Sequence, residues 1–262
     1  MAKTEAELTR RQFVALCAVS LVSGNGWGGA ESAPLSVAYA DSYPPISQLE
    51  GDRVSGLIVE LLNHVFTRQL KIAVEHFGYP WLRAQHLVKN GTHDALCATA
   101  TAERLEYAVA SQEIVLTQPY RVFVRKDHPN LEAFARVRSL GELHALNPRV
   151  ISFTGNGWAG RNLQGFDLVE GPSPNVAMGM LVGGRGDVIV ENIAVGRHWL
   201  RSHQAEAEIQ MLNHDLSKTD WQLLINKHSP WLNILPHFDV ALRAFKSQPA
   251  YAEVLARHGV SG

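Results

Sequence analysis

Apolar and polar positions change period repeatedly from Pro34 onward, and each change marks an element. Leu35–Ala40 (LSVAYA) is a short β-rich run. In Ser55–Leu70 the residues Leu57, Ile58, Leu61, Leu62, Val65, Phe66 and Leu70 fall on one stripe of a helix. Lys71–Phe77 alternates as a strand, Trp81–Asn90 reads as a helix closed by Gly91, and Asp94–Thr99 reads as the next strand. A second unit begins near Arg149. Arg149–Phe153 is a strand, Gly157–Gln164 a short helix, Phe166–Glu170 a strand, Asn175–Val182 a helix and Asp187–Val190 a buried strand, followed by helix Asn192–Ser202 and strand Ile209–Leu212. The tail, strand Trp221–Asn226 with helices Trp231–Lys246 and Ala250–His258 ended by Gly259, is too small for a core of its own and is predicted to return to the first unit. The order is that of an α/β protein with two mainly parallel sheets. Two such units joined by two crossings leave a cleft at the carboxyl ends of strands, where open α/β sheets bind ligands.

The first 33 residues follow another pattern. Arg10-Arg11-Gln12-Phe13 precedes the apolar run Val14–Val22, a Gly-rich stretch and Ala30-Glu31-Ser32-Ala33, the order of an export signal. Paired arginines followed at two residues by Phe resemble the twin-arginine type, although ordinary secretory signals also carry such pairs. Small residues suit cleavage near Ala30 to Ala33, which predicts a periplasmic mature chain. Cys17 lies in the apolar run behind Leu16, too large a neighbour for a lipid-attachment site, and removal of the signal leaves Cys97 as the only thiol.

Composition narrows the field. The chain has 262 residues, 46% of them hydrophobic, so it can bury a full core. Lys and Arg number 24 against 25 Asp and Glu, which removes the basic footprint of a nucleic-acid binder. The 12 histidines are scattered, with no H-E-x-x-H or H-x-x-x-H pair, so no metal or other cofactor is expected. No G-x-S-x-G elbow is present. Gly155-Asn156-Gly157-Trp158-Ala159-Gly160 follows a strand and opens a helix. It fits the dinucleotide spacing, but the next acidic strand end, Glu170, comes too soon, and a near copy lies in the signal. Its amides, at Asn156 and Gly157, are better read as a carboxylate cradle or as a tight turn. Thr99 and Thr101 alternate with alanines ahead of Arg104. That is either one wall of an anion site or a strand-to-helix turn with a solvated arginine. Asp41 is placed to receive a cationic group or to cap a turn.

The series Tyr43-Pro44-Pro45, Gly51, Ser55-Gly56-Leu57, Trp81, Gly91-Thr92-His93-Asp94-Ala95, Thr101-Ala102-Glu103-Arg104 and Gln118-Pro119-Tyr120 resembles the solute-binding proteins of polar amino-acid uptake systems. The likeness continues through Ser139-Leu140-Gly141-Glu142-Leu143, Arg149-Val150, Gly184-Arg185-Gly186-Asp187-Val188 and Ser217-Lys218, over nearly all of 34–259. The resemblance implies a type II periplasmic-binding-protein fold. Lobe 1 would hold 34–122 and 216–262, lobe 2 would hold 123–215, and two hinge crossings would join them. It also implies a monomer that closes on one small ligand, an amino acid or organic acid, and delivers it to an inner-membrane ABC permease.

In that family pattern Arg104 makes a paired contact to the ligand carboxylate, Thr99 adds a hydroxyl, and Tyr43 and Trp81 set rings around the ligand's side chain. One departure stands out. Relatives that bind α-amino acids carry an aspartate five residues after the position of Asp187, to neutralise the ammonium. Here that position is Asn192, with Glu191 beside it and turned to the opposite side by strand alternation unless the strand has ended. Either Glu191 takes the ammonium, or the ligand is not a standard α-amino acid. Two other functions suit the same scaffold: a dehydratase-like periplasmic enzyme with Glu191 or Asp41 as acid or base, and a sensor module for a membrane receptor.

Overall fold

Two long antiparallel strands organise the chain. The computed structural model describes residues 33–260, so the expected export signal lies, but for Ala33, outside the described residues. The first half begins with β1 (Leu35–Ala40), then a small sheet of β2 (Ser42–Tyr43), β3 (Ser47–Glu50) and β4 (Arg53–Ser55). Helix α1 (Leu57–Asn63) runs on as a π-helix over His64–Gln69 and is followed by β5 (Val74–Tyr79), α2 (Trp81–Lys89), β6 (Ala95–Ala98), α3 (Ala102–Tyr107) and β7 (Ala108–Ala110). The chain then crosses over on β8 (Leu116–Arg125).

Beyond it lie α4 (Leu131–Arg136), α5 (Leu140–Ala145), β9 (Arg149–Phe153), α6 (Gly157–Asn162), β10 (Asp167–Gly171), α7 (Pro174–Val182), β11 (Val188–Asn192), α8 (Ile193–Ser202) and β12 (Ile209–Met211). The return is β13 (Ser217–Asn226), which leads to α9 (Leu235–Lys246) and α10 (Pro249–Arg257).

The strands form one ladder in the order β10-β9-β11-β8-β13-β6-β1-β5. Pairing is parallel within β5-β1-β6 and within β10-β9-β11. Between these blocks run β8 and β13, antiparallel to each other from Leu116↔Trp221 to Tyr120↔Ser217. The far half of β8 then pairs with β11, and the far half of β13 with β6. Two parallel α/β blocks therefore share a two-stranded seam.

Both faces of each block are covered, so strand residues sort by twos. In β1, Leu35, Val37 and Tyr39 join Leu61, Phe66, Phe238 and Phe245 of the helical layer, whereas Ala38 faces Ala84 and Val88 of α2. In the other block Val122, Val124, Val150 and Val188 form one core, and Phe123, Ile151 and Ile189 another. Four helices start on capping side chains directly after parallel strands: Thr101 for α3, Asn156 for α6, Ser173 for α7 and Asn192 for α8. These caps set the strand ends, and so the floor of the cleft.

Several elements differ from the expected ones. The helix expected from Ser55 starts at Leu57 because Gly56, at φ 125°, turns the chain out of β4, and a Cβ there would meet the Ile46 carbonyl at 2.5 Å. Strand β8 has no clear period because Gln118, Pro119 and Arg121 interrupt its apolar run.

Candidate functional site

A cavity of about 80 Å³ opens where the seam meets the carboxyl ends of both parallel blocks. The cap Thr101, whose hydroxyl accepts from the Arg104 amide, turns the chain into α3 so that Arg104 projects back under β6. Arg104 is only 4% exposed. Its Nη1 donates to the Thr99 carbonyl at 2.8 Å, and its Nε and Nη2 both donate to Gln85 Oε1 at 3.0 and 2.9 Å. The guanidinium carbon sits 5.1 Å from the Trp81 ring centre. Among the described residues no carboxylate lies within ion-pair distance of it, and burial holds its pKa below the ordinary arginine value. A buried cation held by neutral acceptors retains its demand for a counter-ion. Two of its five N–H groups are not engaged by these three bonds.

Opposite stands Gly157. A Cβ there would lie 3.0 and 3.1 Å from Nη1 and Nη2 of Arg104 and 2.9 Å from Thr101 Cγ2, so only a glycine lets the second block approach the guanidinium this closely. Further contacts tie the blocks together across the cavity. Trp81 Nε1 donates to the Gly155 carbonyl at 3.0 Å, and the Tyr43 hydroxyl donates to Glu191 Oε1 at 2.7 Å.

Of the residues singled out from the sequence, Tyr43, Trp81, Thr99, Arg104, Asn156 and Gly157 line the cavity. Glu191, Asn192 and Asp41 do not. Glu191 is 1% exposed and reaches the wall through Tyr43, while its Oε1 also accepts its neighbour's amide, Asn192 N, at 2.6 Å. Burial raises its pKa to about 7, against the opposing pull of those two donors. Burial, and then Glu191, hold the Tyr43 and Tyr120 hydroxyls above the usual tyrosine range. The side chains of Glu191 and Asn192 part at the strand end, and it is Glu191 that meets Tyr43. Asn192 Oδ1 caps α8 by accepting from Ala194 and Val195 at 2.8 and 3.3 Å, and its fully buried Nδ2 has no hydrogen-bond partner.

Two expectations need correction. Asp41 lies outside the wall; its backbone ties the end of β1 to Tyr79 and Leu49. The amides opening α6 are not all free, because Asn156 Oδ1 accepts from Trp158 and Ala159, each at 3.1 Å, so Asn156 serves first as a cap. Gln85 went unnoticed in the sequence, although it sits one turn after Trp81 on the same helix face. Beyond the partition made by Arg104, Asn156 and Gly157, a wider opening of about 470 Å³ runs between α2 and α6 to solvent. Among the described residues no group of His, Cys, Asp or Glu is placed to hold a metal ion, and no helix is long and apolar enough to cross a membrane.

The family of bacterial extracellular solute-binding proteins, family 3, matches residues 35–260. The chain is a family 3 solute-binding protein. No curated protein matches it in sequence. Solved structures share the two-lobed type II fold with this solute-binding protein. One is a histidine kinase sensor domain with similarity to periplasmic binding proteins, at 18% identity and TM-score 0.72, over 86% of this chain and 95% of that one. Another is the substrate-binding protein of an amino acid ABC transporter, at 16% identity and TM-score 0.67, over 85% and 97%. A third is the ancestral amino acid-binding protein AncCDT-1, a precursor of cyclohexadienyl dehydratase, at 18% identity and TM-score 0.67, over 86% and 94%. Among the described residues, Arg104 is the one charged side chain in the cavity wall of this solute-binding protein.

Proposed function

We propose that this chain works outside the cytoplasmic membrane, where it captures a small carboxylated solute, an amino acid or a close analogue, and delivers it to an ABC-type permease. The observation that carries the reading is Arg104, a buried guanidinium on the cavity wall with no carboxylate partner. A ligand carboxylate supplies the missing charge, and a planar fork accepts it through two parallel bonds. Lobe 1 (34–122 and 216–262) and lobe 2 (123–215) hinge at the β8 and β13 crossings. Opening breaks Tyr43–Glu191 and Trp81–Gly155, and closure restores them around the solute, so binding biases the closed form that docks on the permease. The amino acid ABC transporter neighbour supports the transport reading.

The test begins with a thermal-shift screen of the mature protein against amino acids, organic acids and amines, since a ligand bound only by the native state raises Tm. The best solute is then titrated calorimetrically into wild type and Arg104→Ala. Loss of charge-assisted bonds of about 1.5–3 kcal/mol weakens binding at least tenfold. An unchanged dissociation constant removes Arg104 from the site.

One observation favours a second reading. Glu191, with a pKa of about 7 and a bond to Tyr43 at the cavity, has the character of a general acid, and a neighbour precedes a dehydratase. Mass spectrometry of the solute after incubation with the protein separates the two, since a binding protein returns it unaltered. The sensor-domain neighbour makes a receptor the other candidate partner.

A further inference from the structure

The polar groups in the cavity wall are almost all engaged within the protein. The indole nitrogens of Trp81 and Trp158 donate to the Gly155 carbonyl and to Ser217 Oγ, each at 3.0 Å. Ser47 Oγ donates to the Ala40 carbonyl at 2.8 Å. The Tyr39 hydroxyl pairs with His76 Nδ1 at 2.9 Å, and Thr99 Oγ1 with Thr219 Oγ1 at 3.3 Å. The Tyr43 hydroxyl is taken by Glu191. Both ends of the Asn156 amide are held, Oδ1 by two backbone amides and Nδ2 by Ser152 Oγ at 3.4 Å. The rest of the wall is apolar, including Ile46, Ile58, Phe153 and Pro174. Among the described wall residues Arg104 is the one charged group, and two of its N–H groups are not engaged by its three bonds.

Among the described residues no side chain of the wall carries a negative charge to pair with an ammonium. No carboxylate lines it, since Glu191 meets only the Tyr43 hydroxyl and its own neighbour's amide. Asn192 has its oxygen committed to the α8 cap, and its free group is a donor, of the wrong sign for a cation. Three of the wall's rings are already occupied on a face: Arg104 covers Trp81, and Tyr120 and Trp158 stack on each other at 4.4 Å. The cavity, about 80 Å³, is roughly half the size of one that takes benzene.

We propose that the solute is a short-chain monocarboxylate with a compact, uncharged, apolar body of about three or four carbons and no amino group, a small branched fatty acid rather than an α-amino acid. The carboxylate lies on Arg104, and the body fills the space between Ile46, Ile58 and Phe153. This rests on the carboxylate reading above and narrows it. An ammonium in this cavity would be desolvated with no carboxylate in the wall to offset the loss.

Matched pairs test it. The mature protein is titrated calorimetrically at pH 7 with 2-methylpropanoate against 2-amino-2-methylpropanoate, 3-methylbutanoate against L-valine, and glycine betaine. The proposal expects each acid to bind at least tenfold tighter than its amino acid and glycine betaine to give no heat. An amino acid binding as tightly as its acid, glycine betaine binding best, or neither acid binding overturns it. Those results leave carboxylate capture itself standing, because Arg104→Ala titrated with the best solute of the screen decides that separately.

Discussion

Raising the pH from 5 to 8 perturbs one buried group whose contribution follows from the structure. Glu191 has an ordinary pKa of 4.5 and is pushed up to about 7 by burial. Between those values the native chain holds a proton that the unfolded chain has released, so stability falls as pH rises. The contribution is fully present below pH 4.5 and gone above about 7. Each unit of pH is worth about 1.4 kcal/mol, which gives about 3 kcal/mol over the window. Against a typical total of about 5–15 kcal/mol this is readily measured. Urea unfolding of wild type and Glu191→Gln at pH 5, 6, 7 and 8 isolates the effect, because the variant keeps the side-chain shape and cannot titrate. Wild type should lose about 2–3 kcal/mol relative to the variant between pH 5 and 8, most of it by pH 7. Parallel curves, or a wild type that gains on the variant as pH rises, refute the argument.

Two further outcomes follow from single substitutions. Gly157→Ala places a methyl group against Thr101 and the terminal nitrogens of Arg104, which Thr99 and Gln85 hold fixed, so the closed form is disfavoured. Solute affinity should drop at least tenfold while urea stability changes little, with small-angle scattering in the presence of solute reporting the more open particle. Asn192→Asp keeps the α8 cap and replaces the unpartnered Nδ2 with an acceptor. That atom is buried outside the cavity wall, so a carboxylate there has no donor to offset its desolvation and urea stability should fall as pH rises from 5 to 8, whereas a stability that does not change with pH would refute the unpartnered assignment.

Much of this arrangement is written in the chain. Strands buried on both faces read as continuous apolar runs, which is why the two parallel blocks were legible from Leu35, Asp94, Arg149 and Asp187 onward. Arg104 was singled out from the hydroxyls alternating with alanines ahead of it and from the family pattern, and Thr101, three residues past the end of β6, caps its helix. The seam was not, because Pro119 and the polar residues beside it disguise β8, and its pairing with β13 spans about a hundred residues. Short strands β2–β4 are stabilised by pairing with each other rather than by any period of their own. At Glu191 and Asn192 the alternation rule separates the two side chains but does not say which one meets Tyr43, a residue 148 positions away. Asn156 and Asn192 each precede a helix, and their preference for capping explains why their oxygens turn to amides rather than to a ligand.

A crystal structure of the mature protein with its best-binding solute tests the central claim most directly. The account predicts a carboxylate in the cleft within hydrogen-bonding distance of Nη1 and Nη2 of Arg104, with the lobes closed through Tyr43 and Glu191. A solute seated elsewhere, or a guanidinium turned out to solvent with the cleft filled, contradicts it.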